Sequence, residues 1–188
     1  NYQKENQGKT PHFLWNCKMR FGKTFASYQL AKRMGWKRIL VLTFKPAVQN
    51  AWEEDLVSHV DFKGWQFISR STELTFEDAD KHRPIVCFGS FQDYLGKNKA
   101  GGIKARNEWV HLTNWDCVIL DEYHYGAWRE NAKDLFENED KKEIEYAQGK
   151  GMEYFDEEVM PITTNAYLYL SGTPFRAINS GEFIEEQI

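Results

Sequence analysis

The sequence predicts an α/β fold with a largely parallel central sheet. Three observations carry that expectation: buried β-branched runs alternate with helix-forming segments, the strands read as continuously apolar rather than alternating, and polar signatures sit at their C-terminal ends. In parallel sheets of this type, ligands bind outside the carboxyl ends of the strands.

Taken in order, Asn1 to Pro11 is a polar lead-in, and Phe13 to Asn16 is a short buried strand. The loop Cys17-Lys18-Met19-Arg20-Phe21-Gly22-Lys23-Thr24 follows, then a helix over Lys23 to Met34 with Ala26, Leu30 and Ala31 inward and Gly35 as its stop. Arg38 to Thr43 is a fully buried strand, and Ala47 to Val57 is a second helix opened by Pro46. Trp65 to Ser69 is a short strand, Phe76 to Asp80 a helical turn, and Ile85 to Phe88 a buried strand running into Gly89-Ser90-Phe91-Gln92. Lys97 to Arg106 is a basic loop. Cys117 to Leu120 is a strand that enters Asp121-Glu122-Tyr123-His124, and Ala166 to Leu170 is the last strand, ending in Ser171-Gly172-Thr173-Pro174.

Composition bounds the answer. At 188 residues, 41% hydrophobic and 28% charged, the chain is long enough for one substantial core and is not of disordered type. No apolar run approaches the roughly 20 residues of a membrane span, and no secretion signal opens the chain, so no membrane partner is expected. Three cysteines without C-x-x-C spacing argue against a zinc site or a disulfide framework and fit a reducing, cytoplasmic setting. The net charge of −4 conceals an asymmetry. Glu5 is the sole acid before Lys45, whereas acids dominate from Arg129 to Glu158. Local basic patches therefore remain able to face phosphate.

The chemistry begins at Gly22-Lys23-Thr24. A strand, a short loop, Gly-Lys-Thr and a helix form a phosphate cradle: backbone N–H groups and the helix dipole face the anion, Lys23 reaches the β- and γ-phosphates, and the Thr24 hydroxyl ligates Mg²⁺. Read against G-x-x-x-x-G-K-[ST], the first glycine position holds Cys17. The second element is Asp121-Glu122, adjacent carboxylates at a strand end. Asp121 is suited to hold the metal and its water shell, and Glu122 to take a proton from a water in line with the γ-phosphate. Each signature alone reads equally well as a turn or a solvated loop. Their order, each at the end of a strand, is what favours a nucleotide site.

Together these residues resemble motifs I, II and III of the first RecA-like domain of superfamily 2 helicases and translocases, in the DExH variant and nearest to the motor subunits of type I and type III restriction enzymes. The resemblance covers Phe13 to Arg176. It implies a RecA-like P-loop NTPase domain with helices on both faces of the sheet, one domain over residues 1–188, and an acidic insertion at 129–158 between motifs II and III. It implies ATP and Mg²⁺ as cofactors, with Arg20, Phe21, Gly22, Lys23, Thr24 and Phe25 around the nucleotide and Thr24 and Asp121 at the metal. Lys23, Asp121, Glu122 and His124 would be catalytic, His124 sensing the γ-phosphate. Ser171 and Thr173 would couple nucleotide state to grip on a strand. Thr43-Phe44-Lys45-Pro46 and Gly89-Ser90-Phe91-Gln92 resemble motifs Ia and Ib, which assigns Lys45, Ser90 and Gln92 to a nucleic-acid backbone, with DNA the expected partner. Gln3 stands upstream of motif I, where the resemblance would put an adenine-reading glutamine, and the adenine-recognition residue is left unassigned.

The implied function is the ATP-hydrolysing motor domain of a helicase or translocase, of restriction type. It would be weak in isolation, because the family's second RecA-like domain supplies an arginine finger. The competing expectation is a non-catalytic nucleotide-binding or protein-docking module, since Cys17 and Phe21 depart from motif I. A P-loop kinase or signalling NTPase has no evident use for the Asp-Glu-x-His and Ser-Gly-Thr-Pro pairing. The tryptophans are expected in the core rather than against bases.

Overall fold

A computed structural model describes residues 10–17, 22–43, 46–95, 104–122 and 162–172. Six parallel strands form the central sheet: β1 (His12–Asn16), β2 (Arg38–Thr43), β3 (Gln66–Ile68), β4 (Ile85–Ser90), β6 (Cys117–Asp121) and β8 (Tyr167–Ser171). Their spatial order is β1-β8-β6-β2-β4-β3. The last strand is thus wedged between the first strand and the one that ends in Asp121. A small parallel pair, β5 (Asn114–Trp115) and β7 (Thr163–Thr164), lies apart from the main sheet.

Strand periodicity builds two apolar layers. Ile39, Val41, Val86, Phe88, Cys117, Ile119, Leu168 and Leu170 face one side. There they pack against Tyr28 and Ala31 of α1 (Lys23–Met34) and Trp52 and Leu56 of α2 (Gln49–Ser58). Their neighbours Leu40, Leu42, Ile85, Cys87, Val118, Leu120, Tyr167 and Tyr169 face the other side. That layer is covered by Phe91 and Tyr94 of α3 (Phe91–Tyr94) and Val110 of α4 (Glu108–Leu112). Period-two alternation with both faces apolar explains why these strands carry almost no polar residue before their ends. The expected α/β architecture, with a parallel sheet and helices on both faces, is the one observed.

Several local expectations differ. The inward stripe of α1 is Thr24, Ser27, Tyr28 and Ala31, spaced at i, i+3, i+4 and i+7. Ala26 and Leu30 are only half-buried. The proline-led segment opens as a 3₁₀ turn over Pro46–Val48 before α2 starts at Gln49. Phe76 to Asp80 forms turns rather than a helix: the Ala79 amide bonds to the Thr75 carbonyl and the pattern is not continued. Part of the expected basic loop is ordered as a 3₁₀ turn over Ala105–Asn107 leading into α4. Among the described residues, no helix is long and apolar enough to cross a membrane.

Candidate nucleotide site

The strand register brings the polar ends into one line. Thr43 of β2 pairs with Ser90 of β4 on one side and Asp121 of β6 on the other, and Asn16 of β1 pairs with Ser171 of β8. Beyond β1, the Cys17 amide donates to the Ser171 carbonyl at 2.8 Å. The start of the glycine-lysine loop is thereby tied to the end of β8 by main chain.

Gly22 stands at the N-cap of α1 with φ 77° and ψ 38°. That left-handed conformation is costly for any residue with a Cβ and explains the glycine. Cys17 is different. The only described non-glycine residue with positive φ is Glu122, so Cys17 has an ordinary backbone and places its side chain in the apolar layer under α1. Burial raises the Cys17 thiol pKa, with Lys23 opposing and Asp121 reinforcing the shift.

Lys23, the first residue of α1, carries its ammonium to both acids. Its Nζ lies 2.7 Å from Asp121 Oδ1 and also contacts Glu122 Oε1. Burial opposes the charge on Lys23, but the hydrogen bonds and negative charge of Asp121 and Glu122 outweigh it and raise its pKa. Asp121 is fully buried, and alternation along β6 puts it on the side of Cys117 and Ile119, toward α1 and α2. Its Oδ1 also accepts from the Glu122 amide at 2.8 Å, and its Oδ2 from Trp52 Nε1 at 2.7 Å. Glu122 has φ 55°, a left-handed turn that costs a non-glycine residue about 1–2 kcal/mol. Such outliers concentrate at functional sites.

The remaining expected site residues sort by position. The Thr24 hydroxyl donates to Asp55 Oδ2 of α2. The Phe25 ring packs edge-on against His59 and Phe62, which leaves its backbone amide as the group able to face a phosphate. Ser171 is buried at the end of β8. Ser90 Oγ caps α3 by accepting from the Asp93 amide at 3.1 Å, and Gln92 is exposed beside it. Gln3, Arg20, Phe21, Lys45, His124, Thr173 and the acidic stretch 129–158 lie outside the described residues.

Two residues escaped sequence reading. Trp52 and Asp55 sit three apart on α2, hence on one helical face, and that face looks onto Asp121 and Thr24. An Asp one turn beyond a tryptophan, on the helix that follows a strand end, is the signal that would have found them.

The donors present suit Mg²⁺. A hard cation takes oxygen ligands and is commonly held by one or two carboxylates, waters and substrate phosphates rather than by an all-protein cage. Asp121, at the end of β6, and the Thr24 hydroxyl, in the first turn of α1, are such oxygens. Among the described residues, no group of three or more His, Cys, Asp or Glu is arranged to hold a metal by itself.

No family model matches the chain. It is 32% identical over 190 residues to a Mycoplasma pneumoniae protein provisionally named as the C-terminus of a type II restriction enzyme and methyltransferase. That match covers 91% of this chain and 26% of the relative, so the chain spans about a quarter of its length. In three dimensions the chain is similar to the SWI2/SNF2 ATPase core of Sulfolobus solfataricus in complex with double-stranded DNA. The TM-score is 0.50 at 16% identity, over 94% of this chain and 30% of that one. Likeness at that level is one of fold: the chain has a RecA-like α/β fold.

Proposed function

We propose that this chain is the ATP-binding and ATP-hydrolysing motor domain of a nucleic-acid helicase or translocase belonging to a restriction-type DNA-processing enzyme. The observation that carries the reading is the meeting of Lys23 with Asp121 and Glu122, far apart in sequence, at the carboxyl edge of a parallel sheet.

In this reading the backbone amides from Arg20 to Phe25, with the N-terminus of α1, cradle the phosphates. ATP draws Lys23 away from the two carboxylates, and the ammonium then balances charge on the transferring phosphoryl group. Thr24 and Asp121 would hold Mg²⁺, which would supply positive charge to offset that of the phosphates. The Thr24 hydroxyl leaves Asp55 to make that contact. Glu122, freed of Lys23, orients a water in line with the γ-phosphate and accepts its proton. His124, Ser171 and Thr173 pass the state of the γ-phosphate to Lys45, Ser90 and Gln92, which hold a DNA backbone without reading sequence. Residues 1–188 form one RecA-like domain in this scheme, with 129–158 as an insertion. A second such domain supplies the arginine finger, worth about 10³–10⁵ in rate. The 32% identity to the restriction-type relative and the DNA-bound ATPase core of similar fold support this assignment.

The test is ATP binding followed calorimetrically with and without Mg²⁺, for the wild type and Lys23→Ala. Mg²⁺-enhanced binding that Lys23→Ala abolishes is expected. Binding indifferent to both Mg²⁺ and Lys23, or no binding at all, would overturn the reading in favour of a non-catalytic docking module.

A further inference from the structure

Trp52 is fully buried, and its ring meets Tyr28 of α1 edge-on with centroids 5.3 Å apart. A phenyl ring could fill most of that space. What the indole adds is one N–H, which needs an acceptor once buried. That acceptor is a carboxylate: Nε1 donates to Asp121 Oδ2 at 2.7 Å. The backbone beneath the indole is itself fixed, because the Tyr28 hydroxyl donates to the Trp52 carbonyl at 2.7 Å. The chain α1–Tyr28–Trp52–Asp121 therefore runs from the helix that starts at Lys23 back to Lys23's own partner.

We propose that Trp52 is a positioning residue for Asp121. By holding Oδ2, it fixes rotation of the carboxylate so that Oδ1 is the oxygen turned toward Lys23 and the phosphate side. The terminal torsion of an aspartate is otherwise broad, and without the indole the carboxylate plane would be held only from the Oδ1 side, by Lys23 and the Glu122 amide. Partners one shell behind a metal ligand commonly change metal affinity by about 10–100-fold when removed. This assignment rests on the reading of the site as one for ATP and Mg²⁺, and it adds to it the residue that aims the metal-side acid.

The test uses Trp52→Phe in the full chain, which keeps an aromatic ring beside Tyr28 and removes the donor. ATP binding is titrated across Mg²⁺ concentrations and again in EDTA, alongside Lys23→Ala, Asp121→Asn and the Trp52→Phe/Asp121→Asn double variant. The Mg²⁺ concentration for half-maximal ATP binding should rise at least about tenfold in Trp52→Phe. Affinity in EDTA should stay near the wild-type value, and Trp52→Phe should add nothing once Asp121 is Asn. An unchanged Mg²⁺ requirement overturns the assignment. So does an equal loss with and without Mg²⁺ that persists beside Asp121→Asn, the mark of packing alone. If Lys23→Ala abolishes binding while Trp52→Phe leaves the Mg²⁺ requirement unchanged, the positioning role falls and the ATP site stands. If Lys23→Ala also changes nothing, both fall. Should Trp52→Phe fail to fold, the Trp52 indole ¹⁵N–¹H resonance of the otherwise wild-type protein decides. It should remain protected from solvent exchange with MgATP bound and shift in Asp121→Asn; an indole that exchanges freely with MgATP bound would overturn the proposal.

Discussion

Two fully buried tryptophans flank the sheet, one in each apolar layer. Trp115, on β5, donates Nε1 to the Val110 carbonyl at 2.9 Å, five residues back along the chain. Trp52, on α2, donates Nε1 to a carboxylate 69 positions away. The first bond closes a local loop between α4 and β5, whereas the second joins two separate elements at a charged site. The layers differ in the same way. Around α3, the Tyr94 hydroxyl bonds to the Phe88 carbonyl at 3.1 Å and the Tyr94 ring lies over Gly89, so polar groups there are satisfied by nearby main chain. Around α1 and α2, the polar groups Thr24, Asp55, Trp52, Asp121, Lys23 and Glu122 satisfy one another by side chain. One layer is closed by nearby main chain; the other is held by polar side chains far apart in sequence.

Substitutions in the two layers should therefore fail in different ways. The largest expected effect lies in the charged layer. Glu122→Gln should retain ATP binding while lowering turnover by about 10²–10⁴, the usual share of a general base. Single-turnover hydrolysis in the full-length protein reads this, and an unchanged rate removes Glu122 from the proposed role.

In the other layer, Trp115→Phe should lower stability by about 1–3 kcal/mol, the cost of stranding a buried carbonyl. It should leave the Mg²⁺ requirement for ATP binding as it is, and urea unfolding beside the same titration measures both. A similar loss is expected for Gly89→Ala. A Cβ there would stand 2.4 Å from the Tyr94 ring, and overpacking of this kind costs about 1–3 kcal/mol.

The smallest effect concerns pH. Asp121 and Glu122 raise the Lys23 pKa above its ordinary 10.5. A raised lysine pKa stabilises the fold fully below the unfolded value, and that contribution is lost as pH rises through the folded one. The stability difference between wild type and Lys23→Met should thus be flat through neutral pH and shrink only above about 10.5. A difference that already collapses at neutral pH would show that the pair does not form.

The contrast also explains what was legible in the sequence. Apolar runs such as Arg38–Thr43 and Cys117–Asp121 announce themselves, because a strand buried on both faces needs nearly every residue apolar. The convergence of Lys23 on Asp121 and Glu122 was likewise foreseeable, since parallel strands deliver their ends to one edge. Short elements were not: β5 and β7 have two residues each, too few for any period to emerge. Phe76 to Asp80 misled because Thr75 starts a helical turn that tertiary contacts do not extend. Trp52 and Asp55 stayed hidden for another reason. Core burial and hydrogen bonding to a site are compatible in an indole, and composition reports only the first.

The placement of β8 has a consequence for reach. Since it separates β1 from β6, the strand that leads toward Gly22-Lys23-Thr24 and the strand that ends in Asp121 stand two inter-strand spacings apart, about 10 Å. The long, unbranched arm of Lys23 bridges it, reaching from the head of α1 to Asp121 and Glu122 at the end of β6.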